Sequence, residues 1–323
     1  MHAHAVLELS LGAAGAAGPE LGTLPDGTPF YRVGDYTLRG VRYAGSAFMD
    51  TGIRLAAMDE AGIDVQLLSP NPLTYFGRLD PADATAYATA HNNALAALTA
   101  QHPTRLLAAA QLPVQDIAAA AAEARRAVRD LGMVAVYIDT DPAGRTLDDP
   151  ALDPLYEELT DLDVPLFVHP SPLGADGPPD DPRLRRWDLD LMFGFARDET
   201  LAVAALVFGG VLDRHPGLDV CVSHGGGAAA FLAGRFARAV TKRPWASAQL
   251  REHGFGHYYR RLWFDTHVND GRSLDLLAER AGIEHLVFGT NFAGWDSGAT
   301  HQPSAIDPAL SANAARLLRL DRR

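Results

Sequence analysis

The chain has 323 residues, 47% of them hydrophobic, and a formal net charge of −12. An acidic balance of that size argues against a phosphate-binding surface, so nucleic acid is not an expected partner. The single cysteine, Cys221, excludes an intrachain disulfide. The apolar stretch 5–18 has no basic residue before it and is interrupted by Glu8, unlike a secretory leader. No stretch reaches membrane-spanning length. The expectation is a cytoplasmic protein with no membrane partner.

In chain order, His2-Ala3-His4 opens the first expected strand, over residues 2–8. So little chain precedes His2 that the alternative is a start placed late. Further short β-rich runs fall at 64–69, 106–112, 133–139, 165–169, 218–224, 262–267 and 286–291. Helical patterns lie between them, at 51–61, 82–101, 115–131, 151–162, 197–214, 227–241, 271–282 and 304–318. Eight strands alternating with eight helices predict an α/β protein: one (β/α)8 TIM barrel over residues 1–323. Near-continuous apolar strands fit a parallel sheet buried on both faces. Two stretches break the rhythm, after strands one and five. Residues 18–48 are Gly-rich and carry Tyr31, Arg32, Arg39, Arg42 and Tyr43. Residues 171–195 are Pro- and Asp-rich and carry Arg183, Arg185, Arg186 and Trp187. Both follow strands at the catalytic rim, where long loops shape pockets.

The chemistry lies at the strand ends. His2 and His4, two residues apart on a strand, share a face. His169 closes Leu166-Phe-Val-His169, and His224 closes Val220-Cys-Val-Ser-His224 ahead of Gly225-Gly226-Gly227. Any one of these histidines alone reads as a hydrogen-bonded core or loop residue. Together, on one rim, they read as a site for a divalent ion, since neutral imidazole is the common protein ligand for zinc-like ions.

The ordered set of motifs resembles the amidohydrolase superfamily, and within it amidohydrolase family 2, the aminocarboxymuconate-semialdehyde decarboxylase-like group. The resemblance runs nearly end to end. It takes in the histidines, the stretch from Arg54 through Asp59, Gly62 and Asp64 to Gln66, and His91-Asn92-Asn93 with His102-Pro103-Thr104-Arg105. It continues with Leu112-Pro113, Val168-His169-Pro170, His224 through Gly227 to Gly234-Arg235, and Phe288-Gly289-Thr290. The resemblance implies that His2, His4 and His169 ligate one divalent ion, Zn2+ with Mn2+ as the alternative, and that His224 is a base beside it. It implies that Arg235 grips a substrate carboxylate, reaching into the neighbouring subunit of a homodimer. Arg39 or Arg42 matches a second carboxylate-binding arginine, and Trp187 is a further substrate-binding candidate. A guanidinium suits a carboxylate because its planar fork binds both oxygens.

The sequence departs from that pattern at the end of strand eight, where the family has Asp and this chain has Asn291. An amide can ligate weakly through oxygen but cannot carry a proton near neutrality. Asn291 therefore counts both as a metal-ligand and as a catalytic candidate. The next acid, Asp296, would need the loop to fold back. Strand seven ends in Asp265-Thr266-His267, placing an extra imidazole on the rim, and His267 is a candidate acid or base. The expected function is metal-dependent non-oxidative decarboxylation of a small aromatic or muconate-type acid. The alternative is a hydrolase or hydratase using metal-activated water. A third reading is a barrel that binds without catalysis, favoured by Asn291 and opposed by the intact histidine set.

Overall fold

The computed structural model describes residues 1–172, 181–294, 296–297 and 308–322. Eight strands form one parallel sheet: β1 (His4–Ala5), β5 (Gln66–Pro70), β6 (Leu106–Gln111), β7 (Ala135–Ile138), β8 (Leu166–Val168), β9 (Val220–Val222), β10 (Trp263–Asp265) and β11 (Leu286–Val287). They neighbour one another in that order, each pair parallel. At the remaining gap the Met1 ammonium donates to the Phe288 carbonyl (2.7 Å) and the Phe292 amide to the His2 carbonyl (3.1 Å). The sheet is thereby curled on itself with helices around it, consistent with the expected (β/α)8 barrel.

The helices between these strands are α1 (Thr51–Glu60), α2 (Pro81–Thr99), α3 (Ile117–Arg129), α4 (Asp153–Asp161), α5 (Phe195–Phe208), α6 (Val211–Arg214), α7 (Ala229–Lys242), α8 (Ala248–His253), α9 (Phe255–Tyr259), α10 (Gly271–Ala281) and α11 (Pro308–Leu317). Four start on an Asp cap: Asp50, Asp80, Asp116 and Asp270 each accept a first-turn backbone N–H. The single helix expected at 197–214 is two, because Gly209-Gly210 breaks it and Gly210 takes φ +72°. Residues 304–307 of the expected last helix lie outside the described residues, as do 173–180 of the second long loop.

Strand one is shorter than expected. Its ladder covers His4 and Ala5 only, because the Val6 amide turns away to the Phe48 carbonyl and the chain coils at Glu8–Ser10. Between β1 and α1 the chain builds a separate antiparallel sheet from β2 (Glu20–Thr23), β3 (Pro29–Val33) and β4 (Tyr36–Arg39). Tyr31 and Val33 of this sheet pack with Val6, Tyr43, Leu73, Phe76 and Tyr87, fixing it to the barrel.

Strand alternation turns an apolar barrel filling into a polar rim. Leu67, Tyr137, Phe167, Cys221 and Trp263 pack together, joined by Leu317 and Leu318 from the end of α11. Two residues on, on the same face of each strand, stand Ser69, Asp139, His169, Ser223 and Asp265. The site is this second layer.

Two buried polar groups show how tightly the shell is packed. Arg54 of α1 donates to the His4 carbonyl (2.7 Å) and to Gln66 Oε1 (2.6 Å), anchoring the strand that carries the first histidines. His91 of α2 is 1% exposed with no partner for either ring nitrogen among the described residues, and burial pushes it down to about 4. A histidine neutral when folded and titrating near 6.5 when unfolded binds fewer protons in the folded state, so stability falls as pH drops from 6.5 towards 4. His91→Leu should therefore raise the melting temperature at pH 4.5–5 more than at pH 8, the full difference being about 3 kcal/mol. Equal shifts at both pH values would refute this, as thermal unfolding across pH would show.

Candidate metal centre

Three imidazoles meet at the barrel mouth. His2 Nε2 lies 3.1 Å from His4 Nε2 and 3.1 Å from His169 Nε2, and all three side chains are buried. Their opposite nitrogens are occupied. His2 Nδ1 donates to Asp265 Oδ2 (2.9 Å), His4 Nδ1 to the Pro70 carbonyl (2.8 Å) with Ser69 Oγ at 2.9 Å, and His169 Nδ1 to the Pro170 carbonyl (2.6 Å). With the protons on Nδ1, every Nε2 presents a bare lone pair to the others. Burial holds His2 and His169 well below the ordinary range, and His4 down to about 3, so the rings are neutral and ready to ligate.

This donor set fits a divalent cation. Three acceptor lone pairs facing inward with no proton between them repel, and a cation removes the repulsion. Tetrahedral metal–nitrogen bonds of about 2.0–2.1 Å put two ligand nitrogens roughly 3.3 Å apart, close to the spacing found. The backbone carbonyls and Asp265 are the outer partners that hold such rings in one orientation.

His224 stands beside the three, its ring centroid 4.7 Å from that of His2 and 5.0 Å from that of His169. It follows β9 in a turn where His224 itself has φ +46° and Gly225, Gly226 and Gly227 are all left-handed. A Cβ at 225 would meet Val268 at 2.7 Å and one at 226 would meet Phe264 at 2.6 Å, while at 227 it would overlap the Ala196 carbonyl. The glycine run thus meets a backbone requirement and a close approach together. His224 Nδ1 bonds Glu199 Oε1 at 2.5 Å, and Glu199 is wholly buried on α5. Burial opposes a charge on His224, but the Glu199 carboxylate outweighs it and pushes the imidazole up to about 9. A dication nearby would pull in the opposite direction. Glu199 is absent from the sequence-based candidates, although one signal existed: it lies three, four and seven residues before Ala202, Val203 and Leu206, on the buried stripe of its helix.

His267 also reaches the cluster, buried and with its centroid 5.5 Å from those of His2 and His224. Asn291 sits on the same rim at φ +43°, and its Nδ2 donates to Asp296 Oδ1 at 2.6 Å. The loop does fold back, and Asp296 joins the site through His267 and Asn291.

Two cavities flank His224. One of about 600 Å³ is lined by His4, His169, Asn291, Arg39, Arg42, and Tyr36 and Leu38 from one face of β4. The other, about 370 Å³, is lined by His224, Glu199, His267, Asn291 and Asp296 opposite apolar Phe195 and Leu276. Both are of the size that takes a small molecule. Two expected substrate-binding residues lie elsewhere on their own chain. Trp187 is 68% exposed with the Arg186 guanidinium 4.1 Å over its ring, and it lines neither cavity. The reason is local: Trp187 has φ +59° in a turn that aims it outward. Arg235 lies exposed on α7, outside both cavities.

Asp265→Asn should weaken zinc retention by about 10–100-fold, because an amide no longer holds His2 in its Nδ1–H form as a carboxylate does. Chelator competition on the purified variant checks this; unchanged affinity would show that Asp265 does not orient His2.

Comparison with known proteins agrees with the geometry. The family model described as amidohydrolase matches residues 1–320. A 2-amino-3-carboxymuconate-6-semialdehyde decarboxylase of Dictyostelium discoideum is 30% identical over 244 residues, covering 75% of this chain and 66% of that protein, so slightly under two thirds of its length is matched. A gamma-resorcylate decarboxylase of Rhodococcus jostii is 30% identical over 300 residues, 84% of this chain and 88% of that one. The fold is shared with a crystal structure of dihydroxybenzoic acid decarboxylase from a Polaromonas species, which holds manganese and 2-nitroresorcinol (TM-score 0.72, 23% identity, 86% and 88% of the two chains). With nearly its whole length matched, the chain belongs to the amidohydrolase family whose relatives include these decarboxylases.

Proposed function

We propose that the protein is a metal-dependent non-oxidative decarboxylase of a small aromatic or muconate-type carboxylic acid. The observation that carries this is the trio of Nδ1-anchored imidazoles, two of which, His4 and His169, line a cavity that Arg39 and Arg42 also line. His2, His4 and His169 hold one divalent ion, Zn2+ or Mn2+, with the Asn291 carboxamide oxygen as the candidate fourth ligand. When bound, the ion supplies Lewis acidity and orients the substrate oxygen nearest the reacting carbon. Arg39 or Arg42 pairs with the carboxylate, and the segment 18–48 together with the described residues of 171–195 supplies pocket walls as rim insertions. The reaction breaks the carbon–carboxylate bond, releases CO2 and leaves an electron pair on carbon that must take up one proton. Asn291 cannot donate it, so the proton comes from His224, held by Glu199, or from His267.

Arg235 is assigned to a second copy of the chain in a homodimer. Its exposure on α7, one turn after Phe231, which is 79% exposed, supports an interface there. The partners are then a small carboxylate and a second subunit. No helix among the described residues is long and apolar enough to cross a membrane, and the cytoplasmic location remains part of this proposal. A second reading, a hydrolase or hydratase, draws on the same amide at 291 and on the His224–Glu199 pair, which suits removing a proton from water as well as delivering one to carbon.

Three outcomes follow. Purified protein should carry about one zinc or manganese per chain, lost in the His2→Ala/His4→Ala double variant, and a wild-type chain that takes up neither ion would refute the proposal. In a screen of benzoate and muconate acids, CO2 release distinguishes the first reading from hydration or hydrolysis, and His224→Asn should lower kcat by at least about a hundredfold. Arg235→Ala should raise KM by about tenfold or more with kcat less affected, since a charge-assisted carboxylate contact is lost. Unchanged kinetics, or full activity as a monomer, would remove Arg235 from the site.

A further inference from the structure

Two loops leave the barrel mouth side by side, after β10 and after β11, and one carboxylate joins them. Asp296 accepts from the His267 Nε2–H at 2.9 Å through one oxygen and from Asn291 Nδ2 at 2.6 Å through the other. Both contacts lead back to His2. The His267 backbone N–H donates to Asp265 Oδ1 (3.0 Å), while Asp265 Oδ2 takes the His2 Nδ1–H. On the other side, the residue after Asn291 gives its amide to the His2 carbonyl. His2 is therefore tied into a closed circuit: its ring to Asp265, Asp265 to His267, His267 to Asp296, Asp296 to Asn291, and Phe292 back to the His2 backbone.

The turn that returns Asp296 to the rim is specifically built. The Gly294 amide donates to the Asn291 carbonyl at 2.7 Å, and Ser297 gives both its amide (3.1 Å) and its hydroxyl (2.7 Å) to the Gly294 carbonyl. Gly294 lies directly beneath the Asn291 side chain, where any Cβ would overlap the carboxamide. With Nδ2 committed to Asp296, the carboxamide is fixed on the rim of the cavity it lines, and its oxygen has no hydrogen-bond partner among the described residues. An acid on a surface loop has no reason to leave water, yet both oxygens here are spent on rim groups that line one cavity.

We propose that Asp296 is a positioning residue of the metal site: through His267 and Asn291 it holds the ends of β10 and β11 at the spacing that keeps His2 facing His4 and His169. This rests on the proposed function only in requiring that the histidine cluster take up a divalent ion. The test is zinc affinity by chelator competition, beside kcat and KM, in wild type, Asp296→Ala, Asp296→Asn and Gly294→Ala, with folding checked by circular dichroism. Asp296→Ala should bind zinc about tenfold more weakly, in the range of lost outer-layer partners, and lose kcat more than KM. Asp296→Asn, which can accept only one of the two bonds, should fall between it and wild type. Gly294→Ala keeps the carboxylate but displaces the amide, and should weaken zinc binding as well; these two variants carry the test if Asp296→Ala does not fold. Wild-type zinc affinity in folded Asp296→Ala, or in both other variants, overturns the proposal while leaving the function standing. Failure of the wild type to bind zinc or manganese overturns both.

Discussion

The rest of the site depends on an arrangement that is unfavourable by itself: three neutral imidazoles turned so that the unprotonated nitrogen of His2 confronts those of His4 and His169, 3.1 Å from each. Nothing in the three rings relieves that repulsion, so the surrounding structure must impose it. It does so through the opposite nitrogens, each held by a backbone carbonyl or by Asp265. Burial makes protonation costly, which removes the easy escape of charging a ring. The scaffold therefore stores a geometry that a cation completes, and the stiffness of the barrel keeps it.

Acids set the electrical character of the mouth, but none of those identified is aimed at the point where the lone pairs meet. Asp265 acts on His2, Glu199 on His224, and Asp296 on His267 and Asn291. An ion there would be surrounded first by neutral groups, with negative charge one layer out. That keeps more of its Lewis acidity than direct carboxylate ligation would. Two cavities meeting at His224 place that imidazole between an arginine-bearing wall and an acid-lined one.

Much of this was legible in the sequence, for physical reasons. Strands buried on both faces leave continuous apolar runs, so the order of βα units and the histidines ending those runs could be read directly. What escaped was whatever depended on chain direction beyond a strand. The small sheet β2–β4 was hidden in a stretch whose glycines and prolines mask its alternation. Trp187 was a candidate only because it lies in the second long loop, and its turn leaves it exposed and outside both cavities. Glu199 read as one more charged residue on a helix. Asp296 was visible as a candidate, but only the Asn291–Gly294 turn shows how five residues of loop bring it home.

The alternation that lifts the barrel from packed floor to polar rim also separates two kinds of change. His169 and Asp265 lie within or one residue beyond short strands whose same-face neighbours, Phe167 and Trp263, plug the interior. Slipping such a strand by one residue would exchange every rim group for a helix-facing one, so length within the strands is fixed. Past the strand ends the constraint persists only where a turn ties back to the rim, as at 225–227 and 291–297. Elsewhere, as in the sheet-bearing segment 18–48, the chain can change composition while the nitrogens stay where they are. A barrel of this kind can exchange the molecules it acts on by altering its walls and inherit its reactive centre unchanged.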